Sequence, residues 1–166
     1  MKEYQKTLDY LYSQLPMFQR MGAAAFKKDL TNIRKLCTAL GNPQEQFKSI
    51  HIAGTNGKGS VAFMLSAILQ AQGYKTGLYV SPHYKDFRER IRINGKYVSR
   101  QFVIDFTNKI KPLAEEIRPS FFEMTVAMAF ACFAEQHVDV AVVEVGMGGR
   151  LDSTNILKPE LCVITN

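Results

Sequence analysis

A lysine among three glycines, in Gly54-Thr-Asn-Gly-Lys-Gly-Ser60, is the part of this chain best suited to chemistry on phosphate. Backbone N–H groups in such a turn converge and can cradle phosphate oxygens. A helix starting near Ser60 would add its positive N-terminal end, and Lys58 adds a full charge. Glycines at 54, 57 and 59 leave no Cβ to block the approach. The segment therefore points to a nucleoside triphosphate. Backbone donors would come from Gly54, Thr55, Asn56, Gly57 and Gly59, with Lys58 on the β- and γ-phosphates. The spacing departs from the usual G-x-x-x-x-G-K-[ST]. Only Thr55 and Asn56 separate the first two glycines, and the hydroxyl arrives one place late, at Ser60. Ser60 is thus expected to cap the helix and touch a phosphate rather than ligate Mg²⁺. The competing reading is a glycine-rich turn with a solvated lysine.

Oxygen ligands must come from elsewhere. Glu144 ends the apolar run Val138-Asp-Val-Ala-Val-Val143. A carboxylate at the tip of a buried strand is costly unless it meets a cation. That cation is either Mg²⁺, for which carboxylate is a hard oxygen ligand, or Lys58 or an arginine in an ion pair. Ser81 ends a second apolar strand, at the edge where open α/β sheets bind ligands; a plain Ser-Pro turn is the alternative. His83 has no assigned role and reads as a surface histidine. Arg88, Arg90 and Arg92 alternate, so an extended chain would put all three on one face. That face is either solvated or in contact with substrate carboxylates.

The departures in the glycine loop resemble the phosphate loop of folylpolyglutamate synthases and dihydrofolate synthases, in the Mur ligase superfamily. Three further segments are similar to blocks of that family: Ser81-Pro82-His83 with Phe87 to Gly95, Phe121-Phe122-Glu123, and Glu144-Val-Gly-Met-Gly-Gly-Arg-Leu-Asp-Ser-Thr-Asn155. The similarity runs from about Leu11 to the last residue. It implies a P-loop NTPase-like Mur ligase central domain that uses ATP and Mg²⁺, with Lys58 on the phosphates and Ser81 and Glu144 as metal ligands. It implies a pterin pocket built from Ser120, Phe121, Phe122 and Glu123 and from Leu151, Asp152 and Ser153. Phe122 would stack on the ring and Asp152 would accept its N–H groups. Pro16 to Phe18 is a weaker third wall. Phe121 and Phe122 as core packing, and Asp152 paired with Arg150, are the structural alternatives.

The implied activity is ATP-dependent addition of L-glutamate to dihydropteroate or a folate through an acyl phosphate. In the family the last strand leads to a histidine metal ligand, a carbamylated lysine and a glutamate-ligase domain. Residues 1–166 are therefore expected to be one N-terminal ATP-binding domain of a longer enzyme, inactive alone. A different P-loop phosphotransferase and a non-catalytic nucleotide-binding module are the rival functions.

The elements that must hold these residues read as α/β. Helices are expected over Lys2 to about Gln14, Lys27 to Leu40, from the loop to about Gln72, from Ser99 as N-cap to Ile117, and over Phe122 to Gln136. Strands are expected at Ser49–Ala53, Lys75–Val80, Val138–Val145 and Leu161–Thr165, with a hairpin turning at Asn94-Gly95. Alternating strands and helices imply a mostly parallel sheet flanked by helices on both faces. The 166 residues, 46% apolar, suffice for one core, so disorder is excluded. No signal peptide or apolar run of membrane length is present, so a cytoplasmic location and no membrane partner are expected. Cys37, Cys132 and Cys162 read as reduced core thiols rather than a metal site. The net charge of +6 is scattered, with one cluster from Lys85 to Arg92. It suits polyanionic small substrates better than nucleic acid. A monomer is expected.

Overall fold

The structure, a computed structural model, describes residues 1–15 and 29–166. Helix α1 is Lys2–Gln14, and α2 is Thr31–Ala39. Lys27 and Lys28 of the expected second helix lie outside the described residues, as does the segment Pro16 to Phe18. A left-handed Asn42 and Pro43 end α2 and turn the chain into β1, Lys48–Ala53. Helix α3, Lys58–Ala71, follows the glycine loop, and β2, Thr76–Tyr79, follows α3. A short 3-10 turn, Phe87–Arg90, leads to the hairpin β3, Ile91–Ile93, and β4, Lys96–Tyr97. Asn94 and Gly95 both have positive φ, as a type I′ turn requires.

Helix α4, Arg100–Ile117, starts at Ser99, whose side chain accepts the Phe102 N–H. Helix α5, Phe121–Glu135, starts with a capping box: Ser120 accepts the Glu123 N–H, and the Glu123 carboxylate accepts the Ser120 N–H at 2.7 Å. Strands β5, Val140–Glu144, and β6, Leu161–Ile164, complete the sheet.

The sheet order is β4-β3-β2-β5-β1-β6. Strands β2, β5, β1 and β6 run parallel, and the β3–β4 hairpin is antiparallel at one edge. The parallel strands therefore end together, with the glycine loop, Ser81 and Glu144 along one rim. The two faces are covered unequally. On one face α5 lies on Tyr79, Ile91, Ala141 and Val143, and α1, α2 and α4 pack outside it. Buried between sheet and helices, α5 is apolar almost all round. Among the described residues, α3 alone covers the other face, over Ile52, Leu78, Val80 and Val142. Strand β6 is an edge strand, with Leu161 and Ile164 exposed. Cys162 is exposed there too, so it is not the core thiol its apolar neighbours suggested, whereas Cys37 and Cys132 are buried.

Candidate active site

Helix α3 begins at Lys58, two residues before the expected start. Its N-cap is Gly57, at φ +79°, which offers no side-chain cap. The N–H groups of Lys58, Gly59 and Ser60, in the first helical turn, therefore have no intrahelical acceptor and are available to an anion. Ser60 is the third helical residue and not the cap, a correction that follows from the early start. Lys58 Nζ donates to the carbonyls of Gly54 at 2.9 Å and Thr55 at 3.1 Å, which keeps the ammonium over the loop.

The loop is also braced from its side. The Asn56 N–H donates to the Asn166 carbonyl at 2.6 Å, so this donor is already used. Gly54 has φ +136°, and a Cβ there would sit 2.1 Å from Thr165 Oγ1. Only glycine lets the loop lie this close to the end of β6.

Glu144 is 5% exposed at the end of β5, and its Oε2 accepts the Ser81 N–H at 2.8 Å. It makes no ion pair among the described residues, so the alternative of a partner lysine or arginine is not what the fold built. Burial pushes its carboxyl pKa up, and the Ser81 N–H, Lys58 and Arg90 oppose that push. Gly59 lies beside it: a Cβ there would be 3.6 Å from Oε1. A buried carboxylate short of positive charge, one hydrogen bond from a serine and next to the phosphate loop, suits a divalent cation. Its donors are hard oxygens, and one or two protein ligands are enough for Mg²⁺, whose remaining positions go to phosphate and water. Ser81 and Glu144 are the residues that would hold it. No group of three or more acidic, histidine or cysteine side chains placed to hold a metal ion exists among the described residues.

The residues expected around a pterin mostly have local duties. The Glu123 carboxylate is buried in the capping box. The Phe121 ring is buried against Phe87 and Tyr12. Asp152 is buried too: its Oδ2 accepts the Met147 N–H at 2.9 Å and its Oδ1 accepts the Thr154 N–H at 2.9 Å. It pairs with no arginine among the described residues, so the Arg150 alternative falls. It instead closes the loop after β5 and caps the 3-10 turn Ser153–Ile156. Thr154 in turn holds His51 at 2.8 Å. Phe122, half-buried, presses its ring edge on Gly146, where a Cβ would lie 2.3 Å from Cζ. Leu151 is exposed and Ser153 is buried.

The three arginines do not share a face, because residues 87–90 form a 3-10 turn rather than a strand. Arg88 pairs with Asp86 at 2.7 Å. Arg92 stacks over the rings of Phe63 and Tyr97 on the α3 side. Arg90 turns inward, and its Nε donates to His83 Nδ1 at 2.8 Å. His83 Nε2 meets Tyr12 Oη at 3.1 Å, so this histidine is not the surface group the sequence suggested. Nothing in the alternating spacing distinguished Arg90 from its neighbours; the apolar Phe87 and Ile91 around it were the available signal.

Residues 52–166 match the Mur ligase middle domain. A dihydrofolate synthase/folylpolyglutamate synthase of Mycobacterium tuberculosis is 44% identical over 160 residues, covering 89% of this chain and 33% of that protein. The M. tuberculosis folylpolyglutamate synthase complexed with ADP superposes with a TM-score of 0.88 at 40% identity, covering 98% of this chain and 36% of that one. A folylpolyglutamate synthase–AMPPCP–folate complex superposes with a TM-score of 0.87 at 36% identity, covering 97% of this chain and 39% of that one. The chain thus spans about a third of the length of such relatives.

Proposed function

This chain belongs to the Mur ligase family, and on that premise we propose that it is the nucleotide-binding part of an ATP-dependent ligase that adds L-glutamate to dihydropteroate or a folate. The observation that carries this reading is the contact between the Ser81 N–H and the Glu144 carboxylate beside the glycine loop. It sets the glycine loop, read here as the phosphate cradle, beside Ser81 and Glu144, the two residues proposed to hold the metal. Support for the substrates comes from relatives of known structure, which hold ADP in one case and AMPPCP with folate in another.

In this reading the free N–H groups of Lys58, Gly59 and Ser60 bind triphosphate oxygens, and the Lys58 ammonium turns from the loop carbonyls to the β- and γ-phosphates. Bound at Ser81 and Glu144, Mg²⁺ would offset the charge that builds up as the γ-phosphoryl group moves. The chain's own contribution is positioning and fixed charge, with no nucleophile or general base among the candidate residues. The substrate carboxylate attacks the γ-phosphorus to give an acyl phosphate and ADP, and the glutamate amine then displaces phosphate. Phe122 and Asp152 both touch the loop after β5, on which the pterin reading depends.

The test is calorimetric titration of residues 1–166 with AMPPCP, with and without Mg²⁺. Saturable binding that strengthens with Mg²⁺ is expected. Absence of binding under both conditions refutes the reading.

A further inference from the structure

We propose that Arg90 is an anion-binding group of this site, and that it takes the carboxylate of the substrate that is to be phosphorylated. The proposal rests on the ligase reading above and adds the residue that recognises the acceptor. Arg90 is 4% exposed, yet it forms no ion pair among the described residues. Its guanidinium lies 5.2 Å over the Phe121 ring; its Nε donates to His83, and the buried Tyr79 hydroxyl is a second hydrogen-bond neighbour. The two acids of its own turn, Asp86 and Glu89, are already occupied. Asp86 is held by Arg88 through both carboxylate oxygens. Glu89 accepts the N–H groups of Tyr84, Lys85 and Asp86. A buried guanidinium without a counter-ion is costly, and its planar fork matches a carboxylate bidentately.

The local hydrogen bonds also aim it. A guanidinium only donates, so His83 Nδ1 must be the acceptor. The His83 ring is therefore neutral, with its proton on Nε2, which donates to Tyr12 Oη. This chain from α1 fixes the Nε edge of Arg90; a guanidinium has five N–H donors, so after His83 and Tyr79 some remain for a ligand. His83 is two residues from Ser81 on the same loop, and the Arg90 carbonyl accepts the N–H of Val80, the residue before Ser81, at 3.1 Å. A carboxylate held by Arg90 would thus sit beside the metal ligands and the phosphate loop. His83 and Tyr12 are positioning residues for it.

The test uses residues 1–166 at saturating Mg–AMPPCP, titrated with pteroate and with its neutral carboxamide. Wild type should prefer pteroate by about tenfold or more, the gain expected of a charge-assisted pair. Arg90→Gln should erase the preference. Arg90→Lys, which keeps the charge and loses the fork, should lower it severalfold and serves as the test if the glutamine variant does not fold. A full preference retained in Arg90→Lys and Arg90→Gln, or no preference in wild type, would overturn the assignment. Failure of wild type to bind Mg–AMPPCP at all would instead defeat the nucleotide reading.

Discussion

The fold and the proposed metal site make opposite demands on Glu144. Burial raises its carboxyl pKa above the ordinary 4.5, so the fold favours the protonated form. The stability this group contributes is present below about pH 4.5 and is lost as pH rises through the raised folded value. Without metal, Glu144→Gln should therefore flatten the decline toward neutral pH and raise the thermal midpoint there. Wild type should gain that stability back with Mg²⁺, whereas the glutamine variant should not. Thermal melts from pH 4.5 to 8, with and without Mg²⁺, read both effects. Lys58→Ala should weaken Mg–AMPPCP binding by about 10- to 100-fold, the scale of a lost hydrogen bond to a charged group; an unchanged affinity would remove the lysine from the phosphate role. At this scale the sequence was informative where a residue type announces its cost. A carboxylate closing an apolar strand and a lysine among glycines were both legible. The capping duties of Asp152 and Glu123 were not, because side-chain capping looks the same in sequence as ligand binding. Arg90 was hidden for a related reason: a single 3-10 turn changes which way a side chain points.

The elements follow patterns that local chemistry enforces. The Asn94-Gly95 hairpin, the Ser99 cap and the span of α1 agree with the sequence reading. The start of α3 does not, because Gly57 ends the loop and the helix needs no capping side chain to begin. At α5 the cap is explicit. Ser120→Ala should cost about 1 kcal/mol, the usual value for losing an N-cap, and lower the thermal midpoint by about 2–4 °C for a domain of this size. Glu123→Gln keeps the box geometry and should cost less. The glycine loop is less tolerant. Gly54→Ala would place a methyl 2.6 Å from the Thr165 carbonyl oxygen, at a φ that alanine rarely adopts. We expect it to shift the end of β6, abolish Mg–AMPPCP binding and cost about 3 kcal/mol or more. A folded Gly54→Ala chain with wild-type affinity would show that the close approach is dispensable.

The molecule as a whole is organised so that a well-buried layer supports an exposed rim. The class, a mostly parallel sheet with flanking helices, was legible from the alternation of strand and helix patterns. The unequal cover was not, since apolar spacing along α3 says which face packs but not how much sheet lies beneath it. Burial also sets the global response to pH. His51 and His83 both have pKa values lowered by burial, opposed at His51 by Asp152 and strengthened at His83 by Arg90. Their contribution to stability is complete above about pH 6.5 and declines as pH falls through the lowered folded values. In a Glu144→Gln background, where the opposing carboxyl is gone, the thermal midpoint should fall steadily from pH 7 to 5. A flat curve would contradict the neutral state of both rings.

The hydrogen bond from Asn56 to Asn166 and the contact of Gly54 with Thr165 join the proposed triphosphate cradle to β6, where Ile164 is 83% exposed. Opening of this outermost strand therefore unfastens the cradle, and a bound triphosphate fastens the strand. Amide deuterium uptake at residues 161–165 should slow when Mg–AMPPCP binds. The lifetime of the captured nucleotide would then be governed as much by fraying at the sheet's margin as by the charges that hold the phosphates.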